Sequence, residues 1–184
     1  MSVAIVTGAG GLIGSAAATR FAALGLDVVG VDNDMRAVFF GAEASTAGNL
    51  DRLGASLGGA FALHALDVRD ADGIDALFAS FGRDIAVVVH TAAQPSHDWA
   101  AREPLTDFGI NAVGTLNMLE ATRRHCPEAP FIFCSTNKVY GDTPNRLPLE
   151  EHDTRWEVSS LHTYFPGIRE DMSIDHTLHS IVGV

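Results

Sequence analysis

Lysine is almost missing from this sequence: Lys138 is the only one in 184 residues, and 12 basic side chains face 23 acidic ones, for a net charge of -11. That balance excludes nucleic-acid binding through a basic surface, because neutralising phosphates takes clustered Lys and Arg. Long apolar runs are missing too, and none approaches the roughly 20 residues that span a bilayer, so no membrane partner is expected. The opening stretch Met1-Ser2-Val3-Ala4-Ile5-Val6 has no basic leader segment, which makes the cytoplasm the expected location. Cysteine is scarce, and Cys126 and Cys134 have no metal-ligand spacing, so both are expected to be reduced thiols in the core. His176 and His179 lie three residues apart without a third ligand nearby in sequence, and no metal site is expected. Repeats and low-complexity runs are lacking as well. Apolar residues are not: at 47% they suffice for one domain with a real core.

What is there begins with a turn. The apolar run Val3-Ala4-Ile5-Val6 leads into Thr7-Gly8-Ala9-Gly10-Gly11-Leu12-Ile13-Gly14, and a stretch with helical character follows to Leu24. Strand, glycine turn and helix in that order place free backbone N–H groups and the positive end of a helix dipole where a pyrophosphate can sit. In the G-x-x-G-x-x-G spacing of Gly8, Gly11 and Gly14, the glycines allow a sharp turn, a close approach to the ligand, and tight packing of helix on strand. A second strand, Asp27-Val28-Val29-Gly30-Val31, ends in Asp32, an acid at the right distance to hold a ribose hydroxyl pair.

The remaining pattern alternates strands with helices. Beyond Asn33 we expect a short helix around Phe39-Phe40, a loop through Gly41–Gly48 and another helical piece to Leu57. A third strand follows over Ala60–Leu66, then a helix over Ile74–Phe81 capped by Asp70 or Asp72. Ile85-Ala86-Val87-Val88-Val89 reads as a parallel strand buried on both faces. A long helix is expected over Leu105–His125, with Leu105, Phe108, Val113, Leu116, Leu119 and Ala121 as its buried side, ending where Pro127 cannot continue it. Phe131–Cys134 supplies the fifth strand. Strands alternating with helices imply right-handed crossovers, hence an α/β fold, a doubly wound parallel sheet with ligands at the carboxyl ends of the strands, and the order 3-2-1-4-5 is the one we expect. The expected boundary falls near residue 141: residues 1–141 form the nucleotide-binding domain, and residues 142–184 form a long loop running into a helix over Met172–Ile181. His97, Asp98 and Trp99 are placed at the mouth of the cleft, either touching a ligand or capping the next helix.

Four stretches resemble the extended short-chain dehydrogenase/reductase family, which includes the sugar-nucleotide epimerases and dehydratases. They are the turn Thr7–Gly14, Asp67-Val68-Arg69, His90-Thr91-Ala92-Ala93-Gln94, and Asn111–Thr115 taken with Ser135-Thr136-Asn137-Lys138-Val139-Tyr140-Gly141-Asp142. The last of these is similar to the CDP-paratose 2-epimerase branch. The resemblance implies a Rossmann domain that binds NAD through Gly8, Gly11, Leu12, Ile13, Gly14, Asp32, Asn33, Asp67, Val68, Ala92, Ala93, Gln94 and Ser135. It also implies that Thr136 hydrogen-bonds the sugar hydroxyl being oxidised and that Asn111 orders the catalytic region. The implied partner is a sugar nucleotide, of the CDP-sugar class, and the implied state of a full-length relative is a homodimer. In the implied chemistry, NAD removes a hydride from a sugar carbon, a keto sugar forms, and the hydride returns to the other face. Asp32 favours NAD over NADP, while Arg36, four residues on, leaves a 2′-phosphate as the alternative.

One element of the family pattern is absent. Its chemistry needs a tyrosine followed four residues later by a lysine that lowers the tyrosine pKa, and no Tyr-x-x-x-Lys occurs in this sequence. The alignment puts Val182 at the tyrosine position. We therefore expect an amino-terminal portion of the fold, incomplete at its carboxyl end and without the substrate domain. Two readings follow, an NAD-dependent sugar-nucleotide epimerase seen from its cofactor half, and an NAD-binding module that does not turn over.

Overall fold

The computed structural model describes residues 2–173, with the backbone alone at Asn137 and Lys138. The expected histidines His176 and His179 and the position Val182 lie outside the described residues, as does the helix over Met172–Ile181 but for its first two residues.

Five parallel strands form one sheet: β1 (Val3–Thr7), β2 (Asp27–Val31), β3 (Phe61–His64), β4 (Ile85–His90) and β5 (Phe131–Phe133), in the order 3-2-1-4-5. Every residue of β1 is buried, because β1 is paired on both edges and covered on both faces. Its side chains alternate between two cores. Ala4 and Val6 point into one with Val28, Val87 and Val89, covered by Ala18 of α1 (Leu12–Ala23) and Leu53 of α3 (Ala47–Leu57). Val3 and Ile5 point into the other, covered by Ile74, Leu77 and Phe78 of α4 (Ala71–Phe81) and by Met118 and Ala121 of α7 (Thr115–His125). Phe78 is fully buried there, and its truncation to Ala should cost about 3–5 kcal/mol. The short α2 (Met35–Phe40) follows β2. Asp70, rather than Asp72, caps α4, its carboxylate accepting from the Gly73 N–H.

The two outer strands are shorter than expected. β3 covers Phe61–His64 instead of Ala60–Leu66, since its pairing with β2 stops at Val31 opposite His64. β5 stops at Phe133, which leaves Cys134 exposed, so only Cys126 is the core thiol expected, its pKa pushed up by burial. β4, by contrast, runs one residue further, to His90.

The long helix is where expectation and structure part. A separate short helix α5 (His97–Arg102) precedes it, and in place of one regular rod over Leu105–His125 there are α6 (Pro104–Phe108), a π-helical segment Gly109–Gly114, and α7. Of the six side chains expected on its buried side only Ala121 is buried; Leu105, Phe108, Val113, Leu116 and Leu119 are exposed. Apolar residues form two stripes around this helix, and the sheet receives the one through Ile110, Gly114, Met118 and Ala121. Close approach decides between them: a Cβ on Gly114 would lie 2.6 Å from Val68 Cγ2, so only a glycine face fits here.

The chain divides into two units, Met1–Cys134 and a second beginning at Ser135. The second holds 3-10 turns at Asn137–Tyr140 and Thr143–Arg146 and a small antiparallel pair, β6 (Leu149–Glu151) with β7 (Trp156–Val158), where a loop alone was expected. Among the described residues, no helix is long and apolar enough to cross a membrane.

Candidate functional site

The glycine turn caps the carboxyl end of β1. Gly8 takes φ 65°, a left-handed conformation that side chains resist, and its N–H donates to the Val31 carbonyl at 2.8 Å, binding the turn to β2. Gly14 lies beneath it, where a Cβ would overlap the Gly8 carbonyl oxygen, and so α1 starts directly against the turn. No side chain caps α1 and no acidic residue lies in its first turn, while Leu12 is 86% and Ile13 55% exposed. An uncapped helix start on an open surface is a place for an anion.

Asp32 closes the turn from the β2 side. Its Oδ2 accepts from the Gly10 N–H at 2.9 Å, and its Oδ1 accepts from the Asp34 N–H at 2.9 Å; the Thr46 hydroxyl lies 3.3 Å from that oxygen and nearer, at 3.0 Å, to Asp34 Oδ1. Four acceptor sites on a carboxylate leave capacity for an incoming hydroxyl after these bonds. Asp34 has φ 53°, the one non-glycine residue with positive φ among those described, and is held there by the Ser45 hydroxyl at 2.6 Å and the Thr46 N–H at 2.7 Å. Those bonds, the Ser45 hydroxyl first, hold its carboxyl below the usual range. Asn49 completes the ring, its Nδ2 donating to the Gly10 carbonyl at 2.7 Å. Asn33 Nδ2 donates to Asp67 Oδ2 at 3.0 Å, and Asp67 pairs with Arg69 at 2.6 Å, which lowers the Asp67 pKa. Val68 turns inward and is buried, and its carbonyl accepts from Asn117 Nδ2 at 2.9 Å. The guanidinium of Arg36 lies over the Phe40 ring, 5.1 Å from its centroid.

Across the switch point, β1 and β4 end in register with two polar side chains, Thr7 opposite His90. Thr7 Oγ1 lies 2.7 Å from His90 Nδ1 and accepts the N–H groups of Thr91 at 3.2 Å and Ala92 at 3.1 Å. His90 Nε2 lies 3.0 Å from Thr115 Oγ1, which donates to the Asn111 carbonyl at 2.7 Å. Burial lowers the His90 pKa to about 4, with Phe131 and Phe133 flanking its ring. Asn111 sits in the π-helical segment, where its amide clamps the loop after β4: Oδ1 accepts the Gln94 N–H at 2.9 Å, and Nδ2 donates to the Gln94 carbonyl at 3.1 Å and to Asp107 at 3.0 Å. Gln94 is buried, with Ala92 half-buried and Ala93 exposed beside it. Ser96, rather than His97 or Asp98, caps α5, and Trp99 packs against Phe39 with ring centroids 4.4 Å apart and the ring planes inclined by 58°.

The structure thus gathers Gly8, Gly11, Leu12, Ile13, Gly14 and Asp32 at one turn, links Asn33 to Asp67, and joins Gln94 to Asn111. Ser135 and Thr136 directly follow β5 in the second unit, both exposed. Of the residues that fasten the turn and its neighbours, Asp34, Thr46, Asn49 and Asp107 were not singled out from sequence, and Thr7 and His90 stood in the quoted stretches without a role of their own. A usable signal existed for two of them, a single polar side chain closing an otherwise apolar buried strand.

The model of the NAD dependent epimerase/dehydratase family matches residues 4–164. The chain is 33% identical over 152 residues to CDP-paratose 2-epimerase of Salmonella typhi, covering 83% of this chain and 41% of that protein. It is 32% identical over 148 residues to a putative UDP-glucose 4-epimerase of Methanocaldococcus jannaschii, covering 80% and 42%. Among solved structures, UDP-glucose-4-epimerase of Stenotrophomonas maltophila, with bound NAD and formylated UDP-arabinopyranose, superposes with a TM-score of 0.61 at 28% identity, covering 84% of this chain and 40% of that one. The chain therefore spans about two fifths of the length of these relatives.

Proposed function

Because the chain belongs to the NAD dependent epimerase/dehydratase family, we propose that it is the cofactor-holding part of a sugar-nucleotide epimerase. The single observation that carries the reading is the hydrogen bond from the Gly10 N–H to the Asp32 carboxylate, which joins an anion-binding turn to a hydroxyl-binding acid. NAD fits these residues. The uncapped start of α1 at Leu12 and Ile13 would hold the pyrophosphate, with Gly11 leaving room for its approach. Asp32 would accept the adenosine ribose hydroxyls, Asn33 and Asp67 with the Val68 backbone would border the adenine, and Ala92, Ala93 and Gln94 the nicotinamide. Ser135 would add a cofactor contact, Thr136 would hold the sugar hydroxyl that reacts, and Asn111 would keep the Gln94 loop in place. When bound, NAD supplies the hydride acceptor that makes inversion at a sugar carbon possible.

For the substrate we propose a CDP-sugar. Support comes from the Salmonella typhi relative and from the stretch Ser135–Asp142. A second reading is favoured by one fact of sequence: with no Tyr-x-x-x-Lys in these 184 residues, the chain binds NAD and lacks the base that takes the hydroxyl proton. Thr136 cannot stand in for a phenolate tuned by a lysine, since an alcohol is a far poorer base near neutral pH, and loss of a general base costs about 10²–10⁴-fold. Titration with NAD and NADP followed by incubation with CDP- and UDP-sugars tests both readings. Binding of NAD tighter than NADP, without turnover, is expected. Tighter NADP binding would overturn the cofactor assignment, and turnover free of host enzymes would overturn the second reading.

A further inference from the structure

The hydrogen bonds around His90 have a direction. Thr115 has one hydroxyl proton, and the Asn111 carbonyl, which can only accept, takes it at 2.7 Å. Thr115 Oγ1 must therefore accept at its 3.0 Å contact with His90, and Nε2 carries the ring proton. At the other nitrogen, Thr7 Oγ1 already accepts from the Thr91 and Ala92 N–H groups, so its own proton goes to His90 Nδ1 at 2.7 Å. A single neutral tautomer satisfies every partner. The chain of bonds runs from the loop after β4, through the ends of β1 and β4, into the π-helical segment, and returns to the same loop through Asn111 and Gln94.

We propose that His90 is a positioning residue: as the Nε2–H tautomer it fixes, through Thr115, the π turn that presents Asn111, and Asn111 in turn sets the Ala92–Gln94 loop. An apolar side chain of the same size could fill this buried position and support the sheet equally well. What it could not do is hold Thr115 at Nε2 while accepting from Thr7 at Nδ1. The consequence for NAD rests on the proposed function, in which this loop borders the nicotinamide; the link between His90 and Gln94 does not.

Amide hydrogen exchange reads that link directly. In His90→Phe, the Gln94 N–H should exchange about tenfold faster or more, while the Ile5 and Val88 amides in the central strands keep their protection. If His90→Phe does not fold, Thr115→Val removes the acceptor at Nε2 and should free the same amide. Long-range nitrogen–proton spectra of the unsubstituted protein should show the ring proton on Nε2 alone. NAD titration then separates the two claims. Unsubstituted protein that fails to bind NAD overturns the proposed function and leaves the exchange result to decide the role of His90. Unchanged Gln94 exchange in both variants, or a proton on Nδ1, overturns the positioning role.

Discussion

Gly14 has no room for a methyl group. Its Cβ would overlap the Gly8 carbonyl oxygen, and both neighbours are backbone that cannot swing aside. Gly14→Ala should destabilise the protein by about 1–3 kcal/mol and abolish NAD binding, because α1 must back away from the turn it supports. Gly54, inside α3, has nothing within 4 Å of the same added atom, so Gly54→Ala should raise stability by roughly 0.5–1 kcal/mol through helix propensity alone. Urea denaturation of the two variants compares them; equal effects would contradict the close-contact explanation. His90 makes a second prediction at this scale. Its pKa falls from 6.5 in the unfolded chain to about 4 when buried. The unfolded state therefore takes up the proton first on acidification, and stability present above pH 6.5 is lost as pH falls to about 4, by on the order of 3 kcal/mol. Denaturation at pH 7.5 and at pH 4.5 should show that loss, and His90→Phe should show less of it. Identical pH dependence in the two proteins would contradict it.

Elements were legible in sequence where one pattern dominated and illegible where two competed. The β-branched run Val87–Val89 is a buried strand as expected, because only a strand covered on both faces tolerates such continuity. The face of α7 was not readable: Leu116 and Leu119 are as periodic as Met118 and Ala121, and the choice lay with Gly114 against Val68, a contact between distant parts of the chain. The exposed stripe has its own consequence. Leu105 is 87%, Phe108 62% and Leu116 57% exposed on α6 and α7, an apolar surface of the kind that marks an interaction site. Sedimentation should show self-association that Leu116→Asp and Phe108→Asp abolish with little change in folding stability; association unaffected by them would point instead to the unpaired edge of β5.

At the scale of the molecule, the alternation of strands with helices and the glycine turn with Asp32 could be read from residues alone, since each is set by local pattern. The hairpin of β6 and β7 could not, being two strands of three mostly exposed residues with no alternation long enough to register. The inner supports of the site were hidden for a related reason: Thr7, His90 and Thr115 meet only after the sheet has brought residues 83 and 25 positions apart together. The claim on which the functional reading depends is that the first unit binds NAD across the carboxyl ends of β1, β2 and β4. Titrating NAD into the isotope-labelled 184-residue chain and following its backbone amides tests this most directly. Saturable shifts at Gly8–Gly14, Asp32, Asn33, Asp67 and Ala92–Gln94 are expected, with α3 beyond Asn49 unaffected; no saturation at millimolar NAD, or shifts confined elsewhere, would contradict it.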